Sequence, residues 1–121
     1  MIVNKLEWIS EDAEEAILFI QSGKYECAAF SHPCKFIVGE KIINPLLAIN
    51  VKGVGKVDEH VGLTIERQSD IFSHHIVADF FDYEKHIVSI EGILVEIDGE
   101  IPKDILCNDR IELYCSRLDV I

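Results

Sequence analysis

Residues His86–Ile97, HIVSIEGILVEI, decide the fold class of this chain. Val88 and Ile90 share one face of a strand, because successive side chains of a strand alternate between its faces. After Gly92 the alternation resumes one residue out of step, as Ile93, Val95 and Ile97. A phase slip at a glycine is typical of a β-bulge, which lets a strand bend around a barrel corner. The stretch therefore predicts one long, bulged strand in a curved sheet.

Short strands separated by turn residues are also predicted on both sides of this stretch. They are Val3–Ile9, Tyr25–Ser31, Leu47–Val51, Gly62–Arg67, His75–Phe81 and Arg110–Val120. In the first of them we expect Val3, Leu6, Trp8 and Ile9 to be buried. The glycine-rich segment Lys52–Lys56, KGVGK, lacks the spacing of a phosphate-binding loop. It predicts a bend or a mobile loop.

The segment Ser10–Gly23, SEDAEEAILFIQSG, fits two structures. A serine N-cap, acids in the first turn and a terminal glycine favour a short helix near residues 10–21. The compact apolar run ILFI and the serine-glycine turn after it favour a β-hairpin into the next strand. We expect the hairpin, because a short helix would place Leu18 and Phe19 on nearly opposite sides.

The segment Tyr25–Gly39, YECAAFSHPCKFIVG, holds the groups most able to do chemistry. Pro33 cannot donate a backbone hydrogen bond, so the strand ends there, and a short strand over Phe36–Val38 is expected to follow. His32 and Cys34 flank this proline and are candidates for a metal or thiol site. No CxxC or HxxxH pair supplies further zinc ligands, so a structural corner is favoured and no cofactor is expected.

The four cysteines lie among apolar neighbours, in a domain long enough to need no disulfide. They are Cys27, Cys34, Cys107 and Cys115. We expect buried free thiols, as in a cytosolic protein. The N-terminal residues lack the apolar core of a secretory signal, and no apolar run reaches the ~20 residues of a membrane span. The sequence therefore predicts a cytoplasmic protein that does not contact a membrane.

The short strands, the central glycine and two similar segments that lead into strands resemble small β-barrels of the OB-fold or SH3-like kind. These two segments are VGEKI at 38–42 and CNDRI at 107–111. The resemblance implies a mainly β chain folded as a single small antiparallel, partly open β-barrel over residues 1–121. It implies no activity by itself, because such barrels host many functions. OB-type barrels often bind single-stranded nucleic acid through aromatic and basic side chains.

The net charge of −11 is unevenly distributed. Residues 33–57 carry a local balance of +3, whereas residues 58–121 carry fifteen acids and five bases. The basic residues of the first segment are Lys35, Lys41, Lys52 and Lys56. In the second segment, an exposed acidic patch is predicted at Glu96, Asp98 and Glu100. Acidity on this scale repels phosphate backbones and suits a basic protein partner.

These observations favour a non-enzymatic binding module whose partner is another protein. An immunity-type inhibitor of a basic toxin is one concrete form of this hypothesis. The first alternative is a domain that binds single-stranded nucleic acid through the four lysines. The second is a small metal- or thiol-dependent enzyme centred on His32 and Cys34. Both a monomer and a homodimer are compatible with the sequence.

Overall fold

The computed structural model describes every residue from Met1 to Ile121 and consists of strands and loops. The eleven strands are β1 (Ile2–Ser10), β2 (Glu15–Ser22), β3 (Tyr25–Ser31), β4 (Leu46–Ile49), β5 (Lys52–Lys56), β6 (Thr64–Arg67), β7 (His74–Asp82), β8 (Ile87–Ile90), β9 (Ile93–Ile97), β10 (Arg110–Cys115) and β11 (Arg117–Asp119). The mainly β prediction is confirmed, and the helix considered near residues 10–21 is absent. No helix capable of crossing a bilayer is found in the chain.

All eleven strands belong to one mixed sheet that does not close into a barrel. Their order is β1-β2-β3-β11-β4-β9-β8-β7-β10-β5, and β6 pairs with β7 beside this path. Two pairings are parallel, β3 with β11 and β4 with β9. The prediction of a small antiparallel barrel is therefore wrong. Parallel partners from distant parts of the chain enter the sheet, and the end strands β1 and β5 do not pair with each other.

The three-residue strand β11 connects the two parts of the sheet. On one side Asp119 pairs in parallel with Phe30 of β3, and on the other β11 runs antiparallel to β4. The meander β1–β3 has no other strand pairing with the rest of the sheet. The single strand predicted over Arg110–Val120 is thus two strands, which are separated at Ser116 and have different partners.

Strands β2 and β3 form the predicted hairpin. Ser22 pairs with Tyr25, so Gly23 and Lys24 make a two-residue turn. Both faces of β2 are buried, because one packs in the main core and the other in a smaller cluster. The smaller cluster contains Ile17, Phe19 and Ala28, with Ile71 and Phe72 of the β6–β7 loop packed against it. Burial on two faces explains the unbroken apolar run in this strand.

Gly92 lies in a hairpin turn and not in a β-bulge. Ile90 pairs with Ile93, and Glu91 and Gly92 have φ angles of +42° and +97°. Positive φ at both central residues characterises a type I′ turn. A Cβ on Gly92 would lie 2.5 Å from Oγ of Ser22. The bulged strand predicted over residues 86–97 is therefore the two strands β8 and β9.

Three further local predictions are wrong. Residues Lys52–Lys56 form strand β5, which pairs with β10. Residues Phe36–Val38 form no strand. Cys107 is exposed, whereas the other three cysteines are buried free thiols as expected.

The main core contains 24 buried residues, which come from every strand except β5 and from the loops. His74, the first residue of β7, is fully buried. Its side chain reaches β3, a strand with which β7 does not pair. Its Nδ1 donates to the Phe72 carbonyl at 2.8 Å, and its Nε2 accepts a hydrogen bond from the Ala28 N–H at 3.2 Å. A side chain therefore connects two strands that no backbone hydrogen bond connects.

Candidate functional site

Strand β1 lies at one end of the sheet and leaves most of its outer edge unpaired. At its beginning the Val3 N–H donates to the Glu40 carbonyl at 2.9 Å and the Val3 carbonyl accepts from the Gly39 N–H at 2.7 Å, and just past its end the Cys34 N–H donates to the Glu14 carbonyl of the β1–β2 turn at 2.8 Å. The Ile42 N–H also donates to the Met1 carbonyl. From Asn4 to Ser10 the outer side has no partner strand. Unpaired edges of this kind are templates for the addition of another strand.

Exposed apolar side chains are concentrated along this edge. Six of the twelve large exposed hydrophobic residues of the chain lie on β1 or on the segment that covers its beginning. They are Ile2, Trp8, Ile9, Ile37, Val38 and Ile43. Trp8 is 44% exposed and Ile9 is 50% exposed, so the expectation that both are buried is wrong. Concentrated apolar exposure marks interaction surfaces more often than scattered exposure does.

The charge around Trp8 is strongly negative. Residues 7–15 contain five acids and no base. Glu7 pairs with Lys5 at 2.9 Å and Glu14 pairs with Lys35, while the other three make no ion pair. Those three are Glu11, Asp12 and Glu15. We call the unpaired side of residues 4–10, with Trp8, Ile9 and these acids, the β1 edge.

The acidic residues singled out in the sequence lie elsewhere. Glu96 is half-buried on β9, between β8 and β4, and Asp98 and Glu100 are exposed just beyond this strand. The Asp98 N–H donates to the Ala48 carbonyl at 3.3 Å. No large exposed hydrophobic residue lies next to these three in sequence. They form an acidic turn beside a core strand.

The four lysines are exposed but are dispersed over the sheet. The Lys35 ammonium group pairs with Glu14 in the β1–β2 turn. The backbone of Lys41 forms an isolated antiparallel β-bridge with Ile2 of β1. Lys52 and Lys56 lie on β5, at the other end of the strand order. Lys56 is 3.3 Å from a carboxylate oxygen of Asp109. Acids therefore neutralise two of the four.

His32 and Cys34 have different surroundings. The His32–Pro33 peptide bond is cis. The exposed His32 ring stacks on Phe30 with a centroid distance of 6.5 Å. Cys34 is buried in the main core, and its Sγ lies 4.0 Å from the Phe36 carbonyl oxygen. No group of three or more potential metal ligands occurs in the chain.

Two other thiols lie in environments that disfavour the reactive thiolate. Burial raises the pKa of Cys27 to about 12, with smaller contributions from Glu26 and Cys115. Burial also raises the pKa of Cys115 to about 11. Because the thiolate is the nucleophile, both groups are poor nucleophiles near neutral pH.

The sequence interpretation missed Trp8 as a surface residue. Its alternation with Leu6 is that of a core residue, and Leu6 does pack against the main core. The useful signal was the acidic run that follows it, because five acids in residues 7–15 mark an exposed end of the strand.

Comparison with protein-family models, with curated proteins and with solved structures found no significant match to this chain. What the chain shows by itself is an all-β fold built on one open, mixed sheet.

Proposed function

We propose that this chain is a non-enzymatic interaction module that takes a basic, extended segment of a partner protein as an added strand on the β1 edge. The observation that carries the proposal is the combination of an unpaired strand edge with the exposed Trp8. Main-chain hydrogen bonds supply affinity in strand addition, and side-chain pockets supply specificity. Tryptophan is among the residues most enriched at the energetic centres of interfaces.

The charge of the β1 edge selects the kind of partner. Five acids in residues 7–15 and a net charge of −11 repel a second copy of this chain. A segment rich in lysine or arginine gains from the same field, both in its association rate and in its register on the edge. An inhibitor of a basic toxin, of the immunity-protein kind, is one concrete form of this proposal.

A direct test uses the fluorescence of Trp8, which is the only tryptophan in the chain. A short peptide of alternating lysine and valine serves as the probe. We expect saturable binding with a blue shift of the Trp8 emission, because the added strand covers the indole. The same peptide with alternate residues N-methylated keeps its charge and loses the hydrogen bonds of one edge. Equal binding of both peptides would contradict strand addition.

Matched charge variants locate the surface. The first set is Glu11→Gln with Asp12→Asn and Glu15→Gln, and the control set is Glu96→Gln with Asp98→Asn and Glu100→Gln. Both sets remove three negative charges. We expect the first set to weaken peptide binding about tenfold at low salt, since exposed charges contribute about 0.5 kcal/mol each. If only the control set weakens binding, the acidic turn after β9 is the surface and the β1 edge is not.

A titration with a single-stranded oligonucleotide at low salt tests the main alternative. The acidic surface predicts no binding. Saturable binding that Lys41→Gln and Lys52→Gln both reduce would instead support nucleic-acid binding through the dispersed lysines.

A further inference from the structure

A small cavity of about 170 Å³ lies at the opposite end of the strand order from the β1 edge. The β4–β5 turn, the β6–β7 loop with the beginning of β7, and the end of β10 line it. Its lining residues are Asn50, Lys52, Gln68, Ser73, His74, Tyr114, Cys115 and Ser116. Most of them carry a hydrogen-bonding side chain, and the proposed interaction with a basic partner uses none of them.

The electrostatics of this cavity differ from those of the rest of the surface. Among the five cavities of the chain, it alone is lined by a basic side chain and no carboxylate. Lys52 makes no ion pair with any acid, although acids outnumber bases two to one in the chain. A lone ammonium group in a concave site without a counter-ion is suited to an anionic ligand.

Hydrogen bonds and packing hold the walls in place. Asn50 has φ +56°, and its Nδ2 donates to Oγ of Ser116 at 2.9 Å. The Tyr114 ring stacks on His75 with a centroid distance of 4.6 Å. Gly53 lies over the same ring, since a Cβ there would be 3.4 Å from it. A cavity with fixed walls binds a ligand without first having to order them.

The wall residues divide into those that are satisfied and those that have free donors. Both ring nitrogens of His74 are engaged in hydrogen bonds, and Ser73 donates its hydroxyl to Asp70 at 2.9 Å. The Ser116 oxygen accepts from Asn50, which leaves its hydroxyl proton free. The side chains of Lys52, Gln68 and Tyr114 make no hydrogen bond within the protein. Four of the residues that line the cavity therefore have a side-chain donor without a partner in the protein.

We propose that this cavity binds a small oxyanion, either inorganic phosphate or a short carboxylate, with Lys52 as its counter-ion. Gln68, Tyr114 and Ser116 donate hydrogen bonds to its oxygens. The volume is close to that of an engineered cavity of about 150 Å³ that takes benzene, so the ligand has about five to seven non-hydrogen atoms. A longer anion extending past Ser73 would meet the carboxylate of Asp70, which lines the adjoining cavity.

The test is a titration of the isotopically labelled protein with sodium phosphate and, separately, with sodium malonate, followed by amide chemical shifts. Sodium chloride at equal ionic strength is the control for salt. We expect saturable shifts at the amides of Gln68 and Ser116 with at least one of the two anions. The anion that saturates at the lower concentration identifies the chemical class. Shifts that follow ionic strength alone would overturn the proposal.

The matched variants are Lys52→Gln and Lys103→Gln, because Lys103 is also exposed and makes no ion pair. Both lose one positive charge. We expect Lys52→Gln to weaken anion binding at least tenfold and Lys103→Gln to leave it within about twofold. Tyr114→Phe removes a single hydroxyl and is expected to weaken binding about threefold to tenfold, with the charge unchanged. Equal affinities of the two lysine variants would refute the site.

Discussion

His74 on β7 accepts a hydrogen bond from the backbone N–H of Ala28 on β3, with 3.2 Å between its Nε2 and that nitrogen. The imidazole is fully buried and its Nδ1 donates to the Phe72 carbonyl. A side chain therefore satisfies a backbone donor on the side of β3 that faces away from β2, where no strand pairs with Ala28. A buried donor without an acceptor would be costly there.

Replacing His74 by alanine is expected to destabilise the fold strongly. The change leaves the Ala28 N–H without its acceptor, which costs about 1–3 kcal/mol, and opens a cavity as well. His75→Ala is the matched control, because the neighbouring imidazole faces outward and stacks on Tyr114. Its loss should cost about 1 kcal/mol or less. Urea unfolding of both variants measures the difference, and equal destabilisation would contradict the role assigned to His74.

Stability should fall as the pH falls below the ordinary histidine pKa. Burial lowers the pKa of His74 in the folded protein, with Arg67 adding to the effect, while the Phe72 carbonyl and Asp70 oppose it. Well above the ordinary histidine pKa of about 6.5 neither state is protonated and the stabilisation is complete. Below this pKa the unfolded state binds a proton at the histidine, whereas the folded state does not. Stability then declines by up to about 1.4 kcal/mol per pH unit, until the lowered folded pKa is reached.

The measurement is the free energy of unfolding between about pH 7.5 and pH 5.5. His74→Gln is the control, because glutamine does not titrate. The backbone N–H of Ser73 lowers the pKa of the nearby Asp70, assisted by the Ser73 hydroxyl and the Phe72 N–H. Its contribution is therefore lost only below about pH 4. A wild-type slope that survives in His74→Gln would assign the effect to another group.

Substitutions at the two central residues of the β8–β9 turn should change the stability of the fold in opposite directions. Gly92→Ala places a side chain at φ +97° and within 2.5 Å of Ser22 Oγ, so we expect a loss of about 2 kcal/mol. Ser22→Ala alone removes the hydrogen bond from the Ser22 hydroxyl to the Glu91 carbonyl at 2.8 Å. In the Ser22→Ala background Gly92→Ala keeps the backbone strain but loses the close contact, so it should cost less than in the wild type. Glu91→Asn places a residue that favours positive φ in a type I′ turn and should stabilise by about 0.5 kcal/mol. Thermal unfolding of these variants checks these signs.

One cysteine should react rapidly with a thiol reagent in the native protein. Cys107 is exposed, whereas Cys27, Cys34 and Cys115 are buried. We expect Cys107→Ser to abolish the fast phase of the reaction with the thiol reagent and Cys34→Ser to leave that phase unchanged. A fast phase that instead disappears in Cys34→Ser would support the thiol-dependent enzyme considered from the sequence.

Local structure could be predicted where short-range geometry determines it. The β2–β3 hairpin follows from the two-faced apolar run at residues 17–20 and the serine-glycine turn signal that comes after it. The same reasoning was wrong at Gly92, because a two-residue turn pairs Ile90 with Ile93. Ile90 and Ile93 therefore face the same core although they are three residues apart. In a single strand, the same spacing would be produced by a β-bulge. The pattern contains no information that separates the two structures.

Long-range pairing and the candidate site could not be predicted in this way. The parallel partners of β3 and β4 come from β11 and β9, far away in the sequence, and no local pattern specifies such partners. The exposure of Trp8 depends on β1 being an end strand, which only the complete sheet order determines. The cavity lined by Lys52 is likewise formed by three segments that are distant in sequence, so its lining residues are brought together only in the folded chain.

The position of β11 has a consequence for synthesis in the cell. The first three strands pair with the rest of the sheet only through residues 117–119, which are synthesised after all the other strands. A growing chain can therefore form the β1–β3 meander early but cannot join it to β4 until these residues have left the ribosome. During this interval the free side of β3 is a second unprotected edge. We therefore expect this topology to limit the yield of folded protein by making folding during translation depend on chaperones. The stability of the finished domain should matter less.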